Sequence, residues 1–463
     1  MTKTPTAPLG GRRQTKKVKP SGTAEAMASQ TPARRPNESL RNDVDLFEAM
    51  LERENVVRAW KRVKANKGAA GIDGRTIAET WEWLKADGWT ISREQLRSGT
   101  YRPQPVRARE IPKRSGGVRE LGIPTVLDRL IQQAMLQVLT PLFDPYFSES
   151  SYGFRPKRSA HDAIRQAKRY IDEGRSWVVD IDLERFFDRV SHDKLMTRVA
   201  RRVQDSRMLR LIRSYLEAGV LRDGVKLGRE DGTPQGGPLS PLLANIMLDD
   251  LDRFLEKRGH RFCRYADDCN VYVRSERAGG RVMQAMVRFI ASELDLRVNL
   301  TKSAVDRPWK RKFLGYSFHG GSKVRIASES IERLRRSVRE LTKRRRSIDL
   351  ATRLTLLSRY LRGWMTYFRL SETPSVLRDL DSWIRRRVRL CIWKSWKRGA
   401  TRARKLRSFG LTDEAVRMVA GHRRGPWFAA GMPLLAKALS DRWLSEQGLI
   451  SLHDRWRALN ITC

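Results

Sequence analysis

Hydrophobic positions follow two different periods along the chain, and each period predicts a different kind of secondary structure. Near the beginning, apolar residues recur every three or four positions from 44 to 63, which predicts helical structure. From about 111 to 318, short runs rich in β-branched and aromatic residues alternate with helical runs, and Gly and Pro punctuate them. This succession predicts a region of mixed helix and sheet.

The pattern changes after about Lys323, where the helical period continues without strand-like runs. The apolar residues that mark it are Ile331, Leu334, Val338, Leu341, Leu377, Leu380, Ile384, Val388 and Cys391. We therefore expect a helical domain in this part of the chain. The last 55 residues are mixed in character and hold Trp427, Trp443 and Trp456, which favours a small additional domain.

The charge of the chain points to its class of partner. Lys and Arg number 93 against 52 Asp and Glu, a formal net charge of +41. A charge of this size exceeds what solubility needs and implies a polyanion, with nucleic acid as the leading candidate. An anionic membrane surface is the weaker alternative, because no basic amphipathic anchor stands out. The helical segment 323–410 alone holds 26 Lys and Arg against 7 Asp and Glu.

Composition excludes two other classes. Hydrophobic residues make up 40% of the chain, with 13 Trp and 14 Phe, so the bulk can bury a large core and is not disordered. No run approaches 18 apolar residues, which excludes an integral membrane protein.

Residues 1–42 predict a disordered basic tail, with a transit peptide as the alternative. The four cysteines form no C-x-x-C pair, and the six histidines complete no zinc pattern. So few cysteines make a disulfide framework unlikely, which indicates a reducing compartment.

Two predicted strands end in carboxylates. One β-rich run is interrupted by Asp267 and Asp268, which predicts a hairpin with these residues at its tip, although Asp alone is simply a common turn residue. A second run ends in Asp180-Ile-Asp182, and its two carboxylates share one face because strand side chains alternate. Carboxylate oxygens are ligands that Mg²⁺ prefers. Brought together in one sheet, the two strand ends would hold two Mg²⁺ ions for phosphoryl or nucleotidyl transfer.

Two further segments have the composition of loops that contact nucleotides. Segment 232–241, rich in Gly and Pro, predicts a rigid loop that opens a helix at Ser240 and brings Gln235 against a base pair. The plain alternative is a loop-to-helix junction. Segment 111–124 predicts a basic hairpin whose Lys113 and Arg119 clamp a triphosphate, and the alternative is an exposed basic hairpin without a ligand.

The order of these segments resembles the reverse transcriptase and maturase proteins encoded by bacterial group II introns. Any one of the matching runs is weak evidence for the family by itself, but seven runs in the family's order over roughly residues 45 to 400 are specific to it. They are Tyr265-Ala-Asp-Asp268 (the palm motif), Gly232 to Pro241 (motif B), Asp182-Leu-Glu-Arg-Phe-Phe-Asp188 (motif A), Val298-Asn-Leu-Thr-Lys302 (motif D), Phe313-Leu-Gly-Tyr316 (motif E), Ser150-Ser-Tyr-Gly-Phe-Arg-Pro156, and Leu361-Arg-Gly-Trp-Met-Thr-Tyr-Phe368 in the thumb.

The resemblance implies an α+β, right-hand polymerase fold. Fingers and palm with an antiparallel sheet would occupy 43–322, and a helical thumb and maturase domain would occupy 323–405. A small DNA-binding segment would follow over 406–463. The family often ends in a nuclease domain with His and Cys ligands, which we do not find, so the resemblance is to the branch that lacks it.

The same resemblance implies a catalytic centre with two Mg²⁺ ions. Their ligands would be the carboxylates of Asp182, Asp267 and Asp268, with the backbone carbonyl of Leu183 completing one site. Asp180 remains the alternative to Asp182, since the two share a strand face, although the spacing to the motif A aromatic favours Asp182.

Further residues take substrate roles by resemblance. Lys113 and Arg119 would contact the triphosphate of the dNTP, Phe187 would exclude a 2′-hydroxyl, and Gln235 would line the pocket. Lys302 would protonate or stabilise the leaving pyrophosphate. The basic helices would grip the template–primer duplex and the intron RNA, through Arg344, Arg345, Arg346, Arg362, Arg385 and Arg386.

The leading hypothesis is therefore an enzyme that copies RNA into DNA and assists splicing of its intron. Its partners would be group II intron RNA, an RNA template with a DNA primer, dNTPs and target DNA, with no membrane. We expect a ribonucleoprotein in the bacterial cytoplasm. A splicing factor with an inactive polymerase is disfavoured because binding alone does not require the carboxylates and Gln235. A domesticated reverse transcriptase in phage defence or DNA repair would have the same palm, and that alternative stays open.

Overall fold

A computed structural model describes residues 45–112, 118–222, 225–227, 232, 236–320, 322–343 and 348–461. Up to residue 294 the helices are α1 (Leu46–Leu51), α2 (Arg53–Ala65), α3 (Ile77–Trp83), α4 (Trp89–Ser98), α5 (Val126–Phe143), α6 (Ala160–Asp172), α7 (His192–Ala200), α8 (Ser206–Glu217), α9 (Ser240–Lys257) and α10 (Glu276–Leu294). The strands are β1 (Val106–Pro112), β2 (Val118–Ile123), β3 (Trp177–Ile181), β4 (Val220–Arg222), β5 (Val225–Leu227), β6 (Arg261–Tyr265), β7 (Asp268–Val273), β8 (Ala304–Asp306), β9 (Tyr316–His319) and β10 (Lys323–Ile326).

The remaining helices follow β10 without another described strand between them. They are α11 (Ser328–Leu341), α12 (Leu350–Tyr367), α13 (Pro374–Ser395), α14 (Gly399–Ser408), α15 (Asp413–Ala420), α16 (Pro426–Ala429), α17 (Pro433–Ala438), α18 (Asp441–Glu446) and α19 (Leu452–Ile461). The helices predicted from the apolar spacing after 323 correspond to α11 and α13. The predicted helix over 44–63 is divided, because Glu52 is extended between α1 and α2.

The palm sheet has the strand order β6-β7-β3-β8, and every neighbouring pair is antiparallel. A second four-stranded sheet has the order β2-β1-β4-β5, in which β1 and β4 are parallel. A separate hairpin joins β9 to β10. Ser240 begins α9 with Pro241 in its first turn, as predicted, since a proline there loses no hydrogen bond.

Buried side chains form two hydrophobic clusters, and the palm sheet contributes to both. The first core combines α1 to α5, α7 to α10 and one side of the palm sheet. The second core combines α6, the other side of the sheet, β9 and β10, and the helices from α11 onward. Successive residues of β3 enter different cores, Val178 the second and Val179 the first, because strand side chains alternate.

The C-terminal segment packs on the helices that precede it. Asp381 in α13 binds the first turn of α19, accepting from the backbone N of Leu452 at 2.8 Å and of His453 at 3.0 Å. Negative charge at a helix N-terminus is stabilising. The proposed division between residues 405 and 406 lies inside α14. No helix in the described part of the chain is both long enough and apolar enough to cross a bilayer.

Candidate active site

One end of the palm sheet gathers the predicted catalytic carboxylates. The antiparallel register of β3 with β7 ends with Ile181 paired to Cys269, so Asp182 and Asp268, the next residues along each strand, lie at the same end of the sheet. Tyr265 pairs with Asp268 across the β6–β7 hairpin, so Asp267 lies in the intervening two-residue turn. The hairpin expected from the sequence is thus present, and it brings Asp267 and Asp268 to the strand end that carries Asp182.

Asp180 and Asp182 differ in their surroundings. Arg311 donates to Asp180 Oδ2 from Nε at 2.9 Å and from Nη2 at 2.6 Å, and the Asp180 side chain is 20% exposed. The Asp182 side chain is 38% exposed, and the Nζ of Lys302 lies 3.6 Å from its Oδ2. Because Asp180 already has a close guanidinium partner, the arrangement favours Asp182 as the carboxylate available to a cation.

Loss of hydration, together with nearby negative charge, raises the pKa of Asp268 to about 7. Loss of hydration is the largest cause, even though part of this side chain reaches solvent. Repulsion from Asp267, Asp180 and Asp182 adds to it, and the charge of Lys312 opposes it. Ionised carboxylates this close together repel one another, and a bound divalent cation would relieve that repulsion. These residues therefore fit Mg²⁺.

Among the described residues, no group of three or more His, Cys, Asp and Glu side chains is placed so that it could hold a metal ion by itself. Mg²⁺ is commonly held by only one or two carboxylates, while water and substrate phosphates supply the other ligands. The carboxylates of Asp182, Asp267 and Asp268 suit that mode. Leu183, whose carbonyl is the other proposed ligand, is buried and forms an isolated antiparallel bridge with Val298.

The proposed nucleotide contacts are described only in part. Lys113 and Gln235 lie outside the described residues, as does the side chain of Arg119, whose backbone pairs with Ile111 in β2 and β1. Lys302 is the one of these proposed contacts whose side chain is described, and its Nζ lies 3.6 Å from Asp182 Oδ2. These four substrate roles remain proposals.

Phe187, the aromatic residue of motif A, is buried beside the motif B loop. It lies in a short 3₁₀ turn, Phe186–Asp188, and only 9% of it is exposed. Its ring meets the ring of Phe186 edge to face, with centroids 5.1 Å apart. The motif B loop passes close to it, since a Cβ added to Gly232 would lie 2.8 Å from the carbonyl oxygen of Phe187. This position is compatible with a sugar-facing wall and also with core packing.

Phe187→Ala separates these two roles. If the ring blocks a 2′-hydroxyl, its loss increases ribonucleotide incorporation relative to deoxyribonucleotide by roughly 10- to 200-fold, the discrimination that one small steric contact supplies. Competitive primer extension with each dNTP and its rNTP measures the ratio. Phe186→Ala is the matched control, because it removes a neighbouring buried ring. Equal selectivity in wild type and Phe187→Ala would assign Phe187 to core packing.

Gly236 allows motif B to approach the second sheet. Its φ is +128°, a conformation that side chains with a Cβ rarely adopt. A Cβ at this position would lie 2.3 Å from the carbonyl oxygen of Gly122 in β2. The loop predicted to line the nucleotide pocket is therefore in backbone contact with the strand that carries Arg119.

A buried network beneath the β6–β7 turn that carries Asp267 was not predicted from the sequence. Arg264 Nε donates to Asp252 Oδ1 at 2.7 Å and Nη2 donates to Oδ2 at 2.6 Å, and both side chains are 0% exposed. The same guanidinium donates to Ser151 Oγ at 2.9 Å, to Asn245 Oδ1 at 2.9 Å and to the carbonyl of Ala266 at 3.0 Å. It therefore holds the backbone next to Asp267.

The sequence does contain a signal for this network. Asp252 follows the apolar run that begins at Leu242, and Arg264 stands inside a β-rich run. A charged residue within a run that is otherwise buried needs an opposite charge. The missing step is the pairing itself, because α9 and β6 meet only in the folded chain.

The predicted nucleic-acid contacts in the thumb have different environments. Arg362 is exposed on α12. Arg385 Nη1 lies 2.8 Å from Asp441 Oδ2. Arg386 stacks over the ring of Trp427 at 4.2 Å and donates to its carbonyl at 2.9 Å. Arg385 and Arg386 thus also attach the C-terminal segment to α13. The predicted contacts Arg344, Arg345 and Arg346 lie outside the described residues.

Comparison with known families identifies the class of protein that this fold and site define. Residues 111–318 match the family model described as reverse transcriptase (RNA-dependent DNA polymerase). Residues 331–410 match the maturase-specific domain of group II introns. The chain belongs to the group II intron family of reverse transcriptases, and the predicted α+β polymerase fold is confirmed.

Individual relatives agree with this assignment. Protein YkfC of Escherichia coli is 33% identical over 301 residues, which are 56% of this chain and 78% of that protein. The group II intron-encoded protein LtrA of Lactococcus lactis is 38% identical over 227 residues, 47% of this chain, and the match spans only 36% of LtrA. Among solved structures, one chain of a Cas6-RT-Cas1–Cas2 complex is similar at 26% sequence identity and a TM-score of 0.36. The alignment covers 54% of this chain and 43% of that chain.

Proposed function

We propose that this protein is an RNA-directed DNA polymerase that also acts as a maturase for a group II intron. The observation that carries the proposal is the meeting of Asp182, Asp267 and Asp268 at one end of the palm sheet, in a chain whose reverse transcriptase domain is followed by a maturase-specific domain. Binding of RNA alone would not require this group of carboxylates.

Different residues of the chain would have different roles in nucleotidyl transfer. Two bound Mg²⁺ ions would supply charge neutralisation at the reacting phosphate. Asp182, Asp267 and Asp268 would hold them, and Lys302, beside Asp182, would donate a proton towards the leaving pyrophosphate. Phe187 would close the space next to the sugar. The palm sheet and the buried ion pair beneath it would keep these groups in place during each addition.

Primer extension tests the polymerase. Purified protein is incubated with a DNA primer annealed to an RNA template, dNTPs and Mg²⁺. We expect extension that stops when Mg²⁺ is chelated and resumes when it is restored. No extension on any RNA template, with the folded state verified by its unfolding transition, would overturn the polymerase proposal.

The maturase role rests on the basic helices after 323. We propose that they bind structured intron RNA, and that the protein works in the bacterial cytoplasm as a ribonucleoprotein. The decisive observation is whether the DNA flanking the gene encodes a group II intron. A splicing assay with that RNA should show protein-dependent splicing. A gene with no intron around it would favour the domesticated alternative.

RNA affinity should fall steeply with salt. A protein that contacts 6–10 phosphates loses about 10³–10⁵ in affinity between 50 and 200 mM salt on a duplex. Removing one phosphate contact with Arg362→Gln should lower the log–log slope by roughly 0.7–0.9. Arg210→Gln, an equal charge change at an exposed position of α8, is the control. A slope that Arg362→Gln leaves unchanged would remove this residue from the RNA interface.

A further inference from the structure

One exposed aromatic ring lies directly beside the catalytic turn. Phe154 is 55% exposed, although it belongs to a residue type that is usually buried. Its ring centroid is 6.2 Å from that of Tyr265, the residue that precedes the turn with Asp267. None of the roles described so far uses it.

The loop that carries Phe154 is fixed to the catalytic hairpin. The backbone N of Tyr152 donates to the carbonyl of Arg264 at 2.8 Å, and Asn245 Nδ2 donates to the carbonyl of Gly153 at 2.8 Å. A Cβ added to Gly153 would lie 2.3 Å from the backbone N of Ala266, so the two backbones are in contact. The position of Phe154 relative to the turn is therefore set by the protein.

A second anchor follows immediately. Arg155 is buried, and its Nη1 donates to the carbonyls of Ser148 at 2.6 Å and Ser151 at 3.0 Å. Its Nε donates to Asp144 Oδ1 at 2.8 Å. Phe154 thus lies between a glycine in contact with the turn and a buried arginine. The loop cannot easily rotate the ring towards the core.

The backbone of Phe154 is also strained. Its φ is +59°, in the left-handed region that non-glycine residues visit rarely and at a cost. Such conformations persist where the surrounding structure enforces them, and they concentrate at functional sites. Here the strained residue carries an aromatic ring that is exposed to solvent beside the turn with Asp267.

We propose that Phe154 is a stacking platform for a nucleobase of the template–primer at the point of synthesis. The inference rests on the proposed polymerase function, because it requires nucleic acid at the carboxylates. An aromatic face accepts any of the four bases, so the contact positions the strand without reading its sequence. The base would come from the template or from the primer, and substrates altered in one strand at a time distinguish the two.

Substitutions of Phe154 test the contact. Phe154→Ala should weaken template–primer binding, measured by fluorescence anisotropy, by about 5- to 150-fold, the range for loss of one stacked base. Phe154→Trp and Phe154→Tyr should restore it, and Phe154→Leu should not. Trp81→Ala is the matched control, because it removes another exposed aromatic, on α3. Wild-type affinity in Phe154→Ala would overturn the proposal.

A structural role is excluded by a further variant. Glycine adopts φ = +59° without strain, so Phe154→Gly should unfold at a higher temperature than Phe154→Ala and still bind weakly. If the affinity follows the unfolding temperature instead, the ring acts through stability and the stacking proposal fails.

Abasic substrates identify the strand. An abasic nucleotide at the stacked position should weaken wild-type binding and abolish the difference between wild type and Phe154→Ala. Placing it in turn at each template and primer position near the 3′ end locates the partner base. A difference that persists at every position would contradict stacking. Binding is measured without catalysis, so failure of wild type to extend a primer would count against the polymerase alone.

Discussion

Asp267→Asn should reduce DNA synthesis by about 10³-fold or more while RNA affinity stays near wild type. The substitution keeps the shape of the hairpin turn and removes one charge from the carboxylate group. Metal-assisted charge stabilisation is worth several kcal/mol, and each 1.36 kcal/mol is a factor of ten in rate. Single-turnover primer extension measures the rate, and filter binding measures the affinity.

Asp306→Asn provides a matched control. Asp306 lies in β8 of the same sheet but pairs with Val178, near the end of β3 that is remote from Asp182. The control makes the same chemical change without touching the catalytic end. It should extend primers normally. Wild-type synthesis by Asp267→Asn would show that the active site has been assigned to the wrong residues.

Arg264→Met should destabilise the protein by roughly 3–5 kcal/mol, because it leaves the buried carboxylate of Asp252 without its partner. It also removes the donor to the Ala266 carbonyl beside the catalytic turn. Urea unfolding measures the free energy, and primer extension at low temperature measures the activity of the folded fraction. We expect both to fall.

The double variant Arg264→Met with Asp252→Leu separates the effect of the unpaired buried charge from the effect of losing the hydrogen bond to Ala266. Replacing both members of a buried ion pair by apolar residues is often close to neutral. The double variant should therefore be more stable than Arg264→Met, yet it still lacks the hydrogen bond to Ala266 and should remain slow. Equal stability of the single and double variants would show that the unpaired charge is not the cause.

The sequence predicted the parts of the site that are local in the chain. The β6–β7 hairpin, the carboxylates Asp180 and Asp182 on one strand, and the start of α9 all follow from side-chain alternation, turn chemistry and proline placement. Mixed sheet and helix before 323 and the helices from α11 onward follow from hydrophobic period, whereas strand β10 (Lys323–Ile326), at the start of the expected helical domain, was not predicted. The family comparison confirms the reverse transcriptase and maturase domains.

What the sequence missed depends on contacts between distant segments. Arg311 lies 131 positions from its partner Asp180, and nothing local indicates that pairing, which bears on the choice between Asp180 and Asp182. Arg264 meets Asp252 because α9 packs beside β6. The position of Phe154 depends on a loop that touches the hairpin more than 100 residues later in the chain, where Tyr152 N donates to the carbonyl of Arg264. The hydrophobic period describes one helix or strand at a time and does not indicate which distant segments of the chain come into contact.

The division of the palm sheet between two cores has a consequence for synthesis on the ribosome. Tyr272 completes the sheet's contribution to the second core, but Leu452, another member of that core, is added about 180 residues later, on the order of 10–40 s at typical translation rates. During that interval only α6, which precedes the sheet in the chain, is available to cover its apolar face, and the later helices of the second core have yet to be added. A chaperone that shields this face would raise the yield of folded protein, and faster elongation would shorten the exposure.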